Sequence, residues 1–328
     1  MSILCSGSFV ADILVPDLPE IGPPGSLTYA PKGIHLSPGG HSSNVAIDLA
    51  QLEAENIHAV GIMPRDEIGS VLIDQLRNRG VKPIPQIIED STTAKNVALL
   101  VEGEDRRYIA ELTANSLLSS GFLMKTLNDI KPSIFYQGTL GGLPDIEKNL
   151  RTILQNTQSQ DILNMVDVIM PTNGWGYLES AASNIDVLHA NQLEASSLTM
   201  EADAIRAVRK LNKMGIKLAV VSDGQNGLIA ATLSHIITMP SYNVTQRDPT
   251  GAGDALCAGM INHINNKKLT SEQIMDPESI IDILLMGQAA GAACVTGLGA
   301  TTSVTRENHE TILEHRETLR NQTKLEKI

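Results

Sequence analysis

Short apolar runs alternate along this chain with longer stretches in which apolar positions recur at helical spacing. The runs Ile3–Ser6, Ala59–Ile62, Ser133–Tyr136, Met165–Ile169, Val187–His189, Leu218–Val221 and Leu228–Ala231 predict strands. Between them, Ser42–Glu53, Ile68–Arg79, Ile146–Gln155, Glu201–Met214, Ala255–Asn265 and Ser279–Val295 predict helices. Strands separated by amphipathic helices imply right-handed βαβ units, because parallel neighbours need a crossover. The expected fold class is therefore α/β, a doubly wound, mostly parallel sheet flanked by helices. Ligands of such sheets gather beyond the carboxyl ends of the strands.

Two segments break the rhythm. Residues 13–38 hold six prolines and only short extended pieces, Ser26–Tyr29 and Gly33–Leu36. Residues 92–112 predict two strands, Ala94–Val101 and Arg106–Leu112, joined by the turn Glu102-Gly103-Glu104-Asp105. They form either ordinary surface hairpins or a small β-sheet lid over the site, within a single domain spanning 1–328. The tail, Thr305–Ile328, reads as a charged surface helix.

Composition narrows the functions. Apolar residues make up 42% of the 328, enough for a large core, but aromatics only 3%, so that core is aliphatic. A net charge of −12 argues against a nucleic-acid or anionic-membrane partner. No apolar run approaches the roughly 20 residues of a bilayer span. The start, Met1 to Gly7, has no basic region, and Asp12 soon follows, which argues against a signal peptide and for a cytoplasmic protein. The three cysteines, Cys5, Cys257 and Cys294, lie in apolar stretches as expected of buried, reduced thiols.

The chemistry concentrates at Asp248-Pro249-Thr250-Gly251-Ala252-Gly253-Asp254, a glycine-rich turn that opens an apolar helix. Such a turn bares backbone N–H groups at the positive end of the helix dipole, which suits a phosphate. A carboxylate there competes with the anion unless it does chemistry, so Asp254 is a candidate general base beside a transferring phosphoryl group. A second glycine motif, Gly39-Gly40-His41-Ser42-Ser43-Asn44, lets a ligand approach the backbone. Asn44, one turn into the next helix, offers both a donor and an acceptor to hydroxyls.

These two motifs, in this order and at this separation, resemble the two signatures of the PfkB family, the ribokinase-like carbohydrate and nucleoside kinases. Asn191-Gln192-Leu193-Glu194 and Ser222-Asp223-Gly224-Gln225-Asn226-Gly227 resemble the family's N-x-x-E element and its nucleotide loop. The resemblance covers nearly the whole chain. It implies a ribokinase-like fold and transfer of the ATP γ-phosphoryl group to a substrate hydroxyl. Asp254 matches the family's base, and the amides of Gly251, Ala252, Gly253 and Asp254 its anion hole. Asp12, Gly39, Gly40 and Asn44 match the acceptor side.

Asn191 and Glu194 match residues that organise Mg²⁺ at the nucleotide, although the same spacing makes a helix capping box. Ser222, Gly224 and Gly227 match nucleotide contacts, with Gln288 as a further candidate for the base pocket. Asp248, Thr250 and the loop Cys294–Gly299 lie where some relatives hold a monovalent cation, so the resemblance also raises K⁺. Asp223 and Pro64 depart from the pattern. A carboxylate at 223 is repulsive to a triphosphate unless it points away or meets a cation. Asp66 is read as a helix cap. Arg106 and Arg107, in the lid, are read as exposed hairpin charges in preference to contacts for an anionic substrate or a partner subunit. A homodimer through the lid follows from the resemblance alone.

Several alternatives compete. The helix after Asn44 looks closer to fructokinase and 2-keto-3-deoxygluconate kinase patterns than to ribokinase. A nucleoside kinase would want aromatic stacking partners, and only Phe9, Tyr29 and Tyr108 are at hand. A catalytically silent sugar- or nucleotide-binding regulator has no reason to keep Asp254, the glycine turn and Glu194. A dinucleotide oxidoreductase would need G-x-G-x-x-G after the first strand, and Gly7–Asp12 does not supply it.

Overall fold

A computed structural model describes residues 2–104, 106–171 and 174–328; Met1 and Asp105, the last residue of the predicted hairpin turn, lie outside that set. Among the described residues the larger sheet has ten strands in the order β14 (Lys324–Lys327), β13 (His235–Met239), β12 (Leu228–Ala231), β11 (Leu218–Ser222), β10 (Val187–Asn191), β9 (Leu163–Val168), β8 (Ile134–Leu140), β1 (Ile3–Ser6), β4 (Ile57–Pro64) and β5 (Lys82–Ile88). From β5 to β11 every pair is parallel, and β12, β13 and β14 add an antiparallel edge. The chain winds from β1 outward to β4 and β5, then returns to β8 on the other side of β1. The crevice past the carboxyl ends of β1 and β8 is therefore the topological switch point, where ligands of such sheets bind.

Strand side chains alternate between two cores. Ile3, Cys5 and Val220 pack with α1 (His41–Gln51), α2 (Glu67–Asn78), α8 (Ala252–Lys267), α9 (Pro277–Val295), α10 (Arg306–Leu313) and α11 (Arg316–Gln322). Leu4, Ala219 and Val221 pack with α3 (Ser120–Ile130), α4 (Pro144–Gln158), α5 (Gly176–Ala181), α6 (Gln192–Thr199) and α7 (Ala204–Met214). A sheet buried on both faces needs continuous apolar runs, which is why the central strands were legible as such.

A second sheet has the order β3 (His35–Gly39), β2 (Val10–Leu18), β6 (Lys95–Val101), β7 (Arg107–Glu111). The two segments thus pair into one separate sheet, and Asp12, Asn96, Tyr108 and Ala110 from it line a cavity shared with the larger one. The extent of the smaller sheet is wider than 13–38 at the start, because β2 begins at Val10, and Ser26–Tyr29 belongs to no strand. Register sorts its side chains by face: Asp12 pairs with Ser37 and Asn96, and Asn96 with Ala110. The opposite face carries the row Leu36, Ile13, Val97, Ile109.

Three elements differ from or add to the sequence reading. The tail is two short helices, α10 and α11, followed by the edge strand β14. Pro83 and Pro85 hid β5, which tolerates them because it is an edge strand with one side free of ladder bonds. Helix α9, 19 residues with a mean hydropathy of 1.4, is long and apolar enough to cross a membrane by length and composition. About 72% of that stretch is buried inside the fold, packed on α8 and α10, so it is a core helix.

Candidate active site

The turn at 248–254 and the start of α8 lie under the accessory sheet. Gly251 caps α8 with φ of 81°, a left-handed conformation that an L side chain adopts only at a cost. The Ala252 amide turns back to the Pro249 carbonyl at 3.3 Å, so the open donors of this turn are those of Gly251, Gly253 and Asp254. Asp254 is buried in the first turn, where it accepts from Asn44 Nδ2 at 2.8 Å through Oδ2. Its Oδ1 is buried without a partner, and so is Asn44 Oδ1. An ionised carboxylate and an amide oxygen left unpaired cost several kcal/mol unless a ligand completes them. Burial raises the Asp254 pKa from its ordinary value, the His41 charge opposes this, and Asp167 adds to it. His41 Nε2 stands 3.9 Å from Asp254 Oδ1.

The wall expected to take the acceptor is built from β2, β3 and the start of α1. Gly40 caps α1 with φ of 87°, and a Cβ there would stand 2.5 Å from the Ser8 carbonyl. A Cβ on Gly39 would meet Asp12 Oδ2 at 1.9 Å, so the glycine makes room for that carboxylate. Asp12 accepts from Asn96 Nδ2 at 3.2 Å. Burial, reinforced by the charges of Asp254 and Asp248, lifts its pKa to about 6 against the Asn96 bond. At the switch point itself, a register shift in β8 precedes Thr139, which holds φ of 59°. That conformation is a strained one for a β-branched residue. It aims Thr139 Oγ1 at Ser8 N, 3.1 Å, at Ser8 Oγ, 3.0 Å, and at His41 Nδ1, 3.1 Å.

On the other flank, β10 and β11 end in the two loops expected at a nucleotide. Asn191 and Glu194 form the capping box: Asn191 Oδ1 accepts from Glu194 N at 3.0 Å, and Glu194 Oε2 from Asn191 N at 2.8 Å. Glu194 also lines the cavity. Burial and the neighbouring Asp167 raise the Glu194 pKa, while the Asn191 amide and the histidines oppose them. Gly224 and Gly227 follow β11 with φ of 51° and 95°. Asp223 is exposed and accepts from Asn226 Nδ2 at 3.0 Å, outside the residues that line the cavity. Gln288 is buried, lines the cavity and reaches the Pro240 carbonyl at 3.4 Å.

One cavity of about 1220 Å³ joins both flanks. That exceeds the roughly 300–1,000 Å³ of a pocket for one small molecule, as two substrates side by side require. It brings together Asp12, Gly40, Asn44, Asn191, Glu194, Ser222, Gly224, Gly227, Thr250, Gly251, Ala252, Gly253, Asp254 and Gln288. Gly39 borders it through Asp12. Asp248, in contrast, is a second-layer residue, 1% exposed, that accepts from Thr250 and Gly299.

The lid touches the anion turn directly. Arg106 Nη1 donates to Asp248 Oδ1 at 3.1 Å and to Thr250 Oγ1 at 2.7 Å, and the Tyr108 hydroxyl lies 3.0 Å from Thr250 Oγ1. Burial opposes the Asp248 charge, but bonds from Thr250 and Gly299 and the Arg106 guanidinium hold its carboxyl below the usual range. The reading of Arg106 as a bare hairpin charge is thus corrected, and a cation already sits on the Asp248 and Thr250 side chains. Arg107 pairs with exposed Glu104, as expected of a surface charge. Asp66 caps α2 as expected, accepting from Gly69 N at 2.7 Å.

The comparisons fit this geometry. A model of the pfkB family of carbohydrate kinases matches residues 2–307. The chain belongs to that family. It is an ATP-dependent sugar kinase of the pfkB group, similar over 91% of its length to probable fructokinase-7 of Arabidopsis thaliana, at 26% identity and covering 88% of that protein. A ribokinase of Haemophilus influenzae is 23% identical, with 94% of this chain and 97% of that one aligned. Among solved structures, a fructokinase of Xylella fastidiosa with bound ATP superposes with a TM-score of 0.78 at 23% identity, covering 96% of this chain and 99% of that one. The ribokinase of Thermotoga maritima gives 0.75 at 22% identity, with the same coverages.

Within this pfkB kinase, sequence reasoning missed a buried polar layer beside Asp254. Asp167 on β9 accepts from His189 Nδ1 at 2.9 Å, from the Tyr136 hydroxyl at 3.1 Å and from Cys257 Sγ at 3.6 Å. Each of these residues was hidden inside an apolar strand or helix. A polar residue at an inward position of a central strand was the available signal.

Proposed function

We propose that this kinase phosphorylates a hydroxyl of a neutral sugar, with Asp254 as general base. The observation that carries the reading is the pair of buried, unpartnered acceptors, Asp254 Oδ1 and Asn44 Oδ1, facing one cavity beside the open amides of the turn. A sugar hydroxyl donates to Asp254 Oδ1 and a neighbouring hydroxyl to Asn44 Oδ1. As the hydroxyl oxygen attacks the γ-phosphorus of ATP, its proton passes to Asp254 and the bond to the β–γ bridging oxygen breaks, releasing ADP. The amides of Gly251, Gly253 and Asp254 meet the charge on the transferring oxygens. Asp12 and Asn96, on the lid face toward the cavity, take further hydroxyls. With Asp12 and Asp254 both on the acceptor side, a carboxylate-bearing sugar meets like charge there, which favours the fructokinase-like reading over a sugar acid.

Ser222, Gly224, Gly227 and Gln288 then hold ATP. Glu194 Oε1 fits Mg²⁺, since that ion keeps most of its waters and takes one or two carboxylates. Glu194 is also a crowded carboxylate whose raised pKa a cation would relieve. Mg²⁺ supplies charge neutralisation for the phosphates when bound. For K⁺, the Arg106 guanidinium on Asp248 and Thr250 supports activity without a monovalent cation. The apolar outer row of the lid, with Ile109 67% and Leu36 38% exposed, supports a homodimer through that sheet. A cytoplasmic location fits its three free, buried cysteines.

The test is ADP release with ATP and Mg²⁺ against a panel of hexoses, pentoses, sugar acids and nucleosides. A neutral ketose or aldose should give the highest kcat/KM. Preference for a sugar acid or a nucleoside would overturn the substrate class. The pH profile carries a second expectation. The base must be ionised to accept a proton, and a raised Asp254 pKa moves the acid limb of kcat/KM above the ordinary carboxylate value of about 3.9. The His41 charge holds that limb down, so His41→Gln should move it to higher pH. An unmoved or lowered limb would show that His41 does not act on the base.

A further inference from the structure

The buried layer under the anion turn contains a histidine that the reaction as described does not use. His189, on β10, is 3% exposed and has both ring nitrogens engaged, Nδ1 with Asp167 Oδ1 at 2.9 Å and Nε2 with Ser222 Oγ at 3.0 Å. A Cβ placed on Gly253 would stand 3.1 Å from His189 Cε1, so the ring lies directly beneath the anion turn. Asp167, His189 and Cys257 stand close enough together to suggest a metal site. Both Asp167 oxygens and both His189 nitrogens already have hydrogen-bond partners, so the cluster is a closed hydrogen-bonded layer. Asp167, His189 and Ser222 all line the cavity, and the Ser222 hydroxyl is the group that His189 Nε2 meets there.

We propose that His189, held by Asp167, is a positioning residue that sets the direction of the Ser222 hydroxyl and so the affinity for ATP. The argument rests on the assignment of Ser222 to the nucleotide. A hydroxyl carries one proton. When His189 is a cation, Asp167 accepts from Nδ1–H and Nε2–H donates to Ser222 Oγ. The Ser222 proton is then free to point into the cavity and donate to a phosphate oxygen. When His189 is neutral, Asp167 keeps the proton on Nδ1 and Nε2 is bare. Ser222 then donates inward and presents only lone pairs to the phosphate. One protonation event at a buried ring therefore turns a phosphate donor into a phosphate repeller.

The groups facing His189 favour the cation. Asp167 comes from β9, Asp254 and Cys257 from α8 and Glu194 from α6, with Tyr136 of β8 behind Asp167. His41 of α1 is the opposing charge. Burial favours the neutral ring, but Asp167, through its charge and its bond, followed by Glu194 and Asp254, outweighs it and raises the His189 pKa. Burial likewise disfavours the Asp167 charge, and His189 reverses this to lower that carboxyl. Donation by Ser222 is thus complete below the ordinary imidazole pKa of about 6.5 and is lost as pH rises through the higher value in the fold.

The experiment measures KM for ATP from pH 6 to 9.5 at saturating sugar, with the Kd of a non-hydrolysable ATP analogue by calorimetry over the same range. In the wild type both constants should rise by about tenfold, the worth of one hydrogen bond to a charged group, with kcat changing far less. Ser222→Ala should show the high value already at low pH and lose this rise. It retains the titration of ATP itself, whose terminal phosphate ionises near pH 6, and so serves as the baseline. His189→Gln should be flat against that baseline, and Ser222→Thr should restore the wild-type slope. A wild-type slope no steeper than that of Ser222→Ala, or one that survives in His189→Gln, overturns the proposal. Unchanged ATP affinity in Ser222→Ala at low pH overturns instead the placement of Ser222 at the nucleotide. The analogue titration does not depend on having the right sugar, so these outcomes stand apart from the choice of acceptor.

Discussion

Asp254→Asn should lower kcat by about 10³-fold, the typical contribution of a general base, while the Kd for ATP stays within a few-fold of the wild type. Asn keeps the shape and can still accept from Asn44 Nδ2 through its carbonyl oxygen. That orientation places the NH₂ where Oδ1 stood. A hydroxyl arriving there meets a donor, and its own proton has nowhere to go. The loss should therefore fall on the chemical step and on hydroxyl positioning, not on the nucleotide, whose proposed contacts lie on the β10 and β11 flank. The same substitution should raise the melting temperature. Asp254 is a buried carboxylate near Asp48 and Asp167, and its charge helps to push the carboxyl pKa of Asp48 upward, after burial itself. Removing that charge relieves a strain kept for function. Steady-state kinetics, ATP calorimetry and a thermal melt read all three. A kcat within tenfold of the wild type would remove Asp254 from the role of base.

The sequence made part of this site readable and hid the rest for a physical reason. Asp254, Gly251 and Gly40 could be read because each breaks a local rule: a carboxylate at an anion site, or a glycine where the chain must take positive φ. The strands around them could be read because two-sided burial demands unbroken apolar runs. The polar layer obeys no such rule. His189 and Asp167 sit at single inward positions of β10 and β9, and only the parallel register of those strands brings them together. Arg106 was misread for the same reason. Its partners, Asp248 and Thr250, lie 142 and 144 residues away, and nothing in a hairpin says what its tip will touch. The lid was half legible: β6 and β7 followed from alternation and a turn, but β2 contains Pro16 and begins before the proline-rich segment that seemed to define it. At Glu194 the structure shows the capping box, made through Oε2, in a residue that also lines the cavity.

The position of Arg106 connects lid and chemistry. Asp248 holds the Thr250 amide, the Gly299 amide and the Arg106 guanidinium on two oxygens. The lid, the anion turn and the loop after α9 thus share one buried carboxylate. Displacing any of the three perturbs the backbone amides of the turn, which are the proposed phosphoryl donors.

Gly251→Ala tests that linkage, and it should lower kcat by about 10²–10³-fold, as expected when one oxyanion donor is lost. Two penalties combine at this position. A left-handed conformation costs a residue with a Cβ about 1–2 kcal/mol. The new methyl would also lie 2.5 Å from Ala300 Cβ, 2.7 Å from its Cα and 2.8 Å from its carbonyl oxygen. Those are mostly backbone atoms, which have no rotamer to escape into, so either the turn or the 299–301 loop must move. The loop is tied to Cys294 Sγ through Ala300 O at 3.1 Å and to Asp248 through Gly299 N at 2.9 Å. Yielding there pulls on Asp248 and Thr250, and the Gly251 and Gly253 amides rotate away from the phosphoryl oxygens. Gly25→Ala separates the two penalties, since Gly25 has φ of 89° and nothing within 4 Å of its Cβ position. That variant should lose stability through the backbone term alone and keep its kcat. If Gly251→Ala behaves like Gly25→Ala, the turn supplies structure without binding the transferring phosphoryl group.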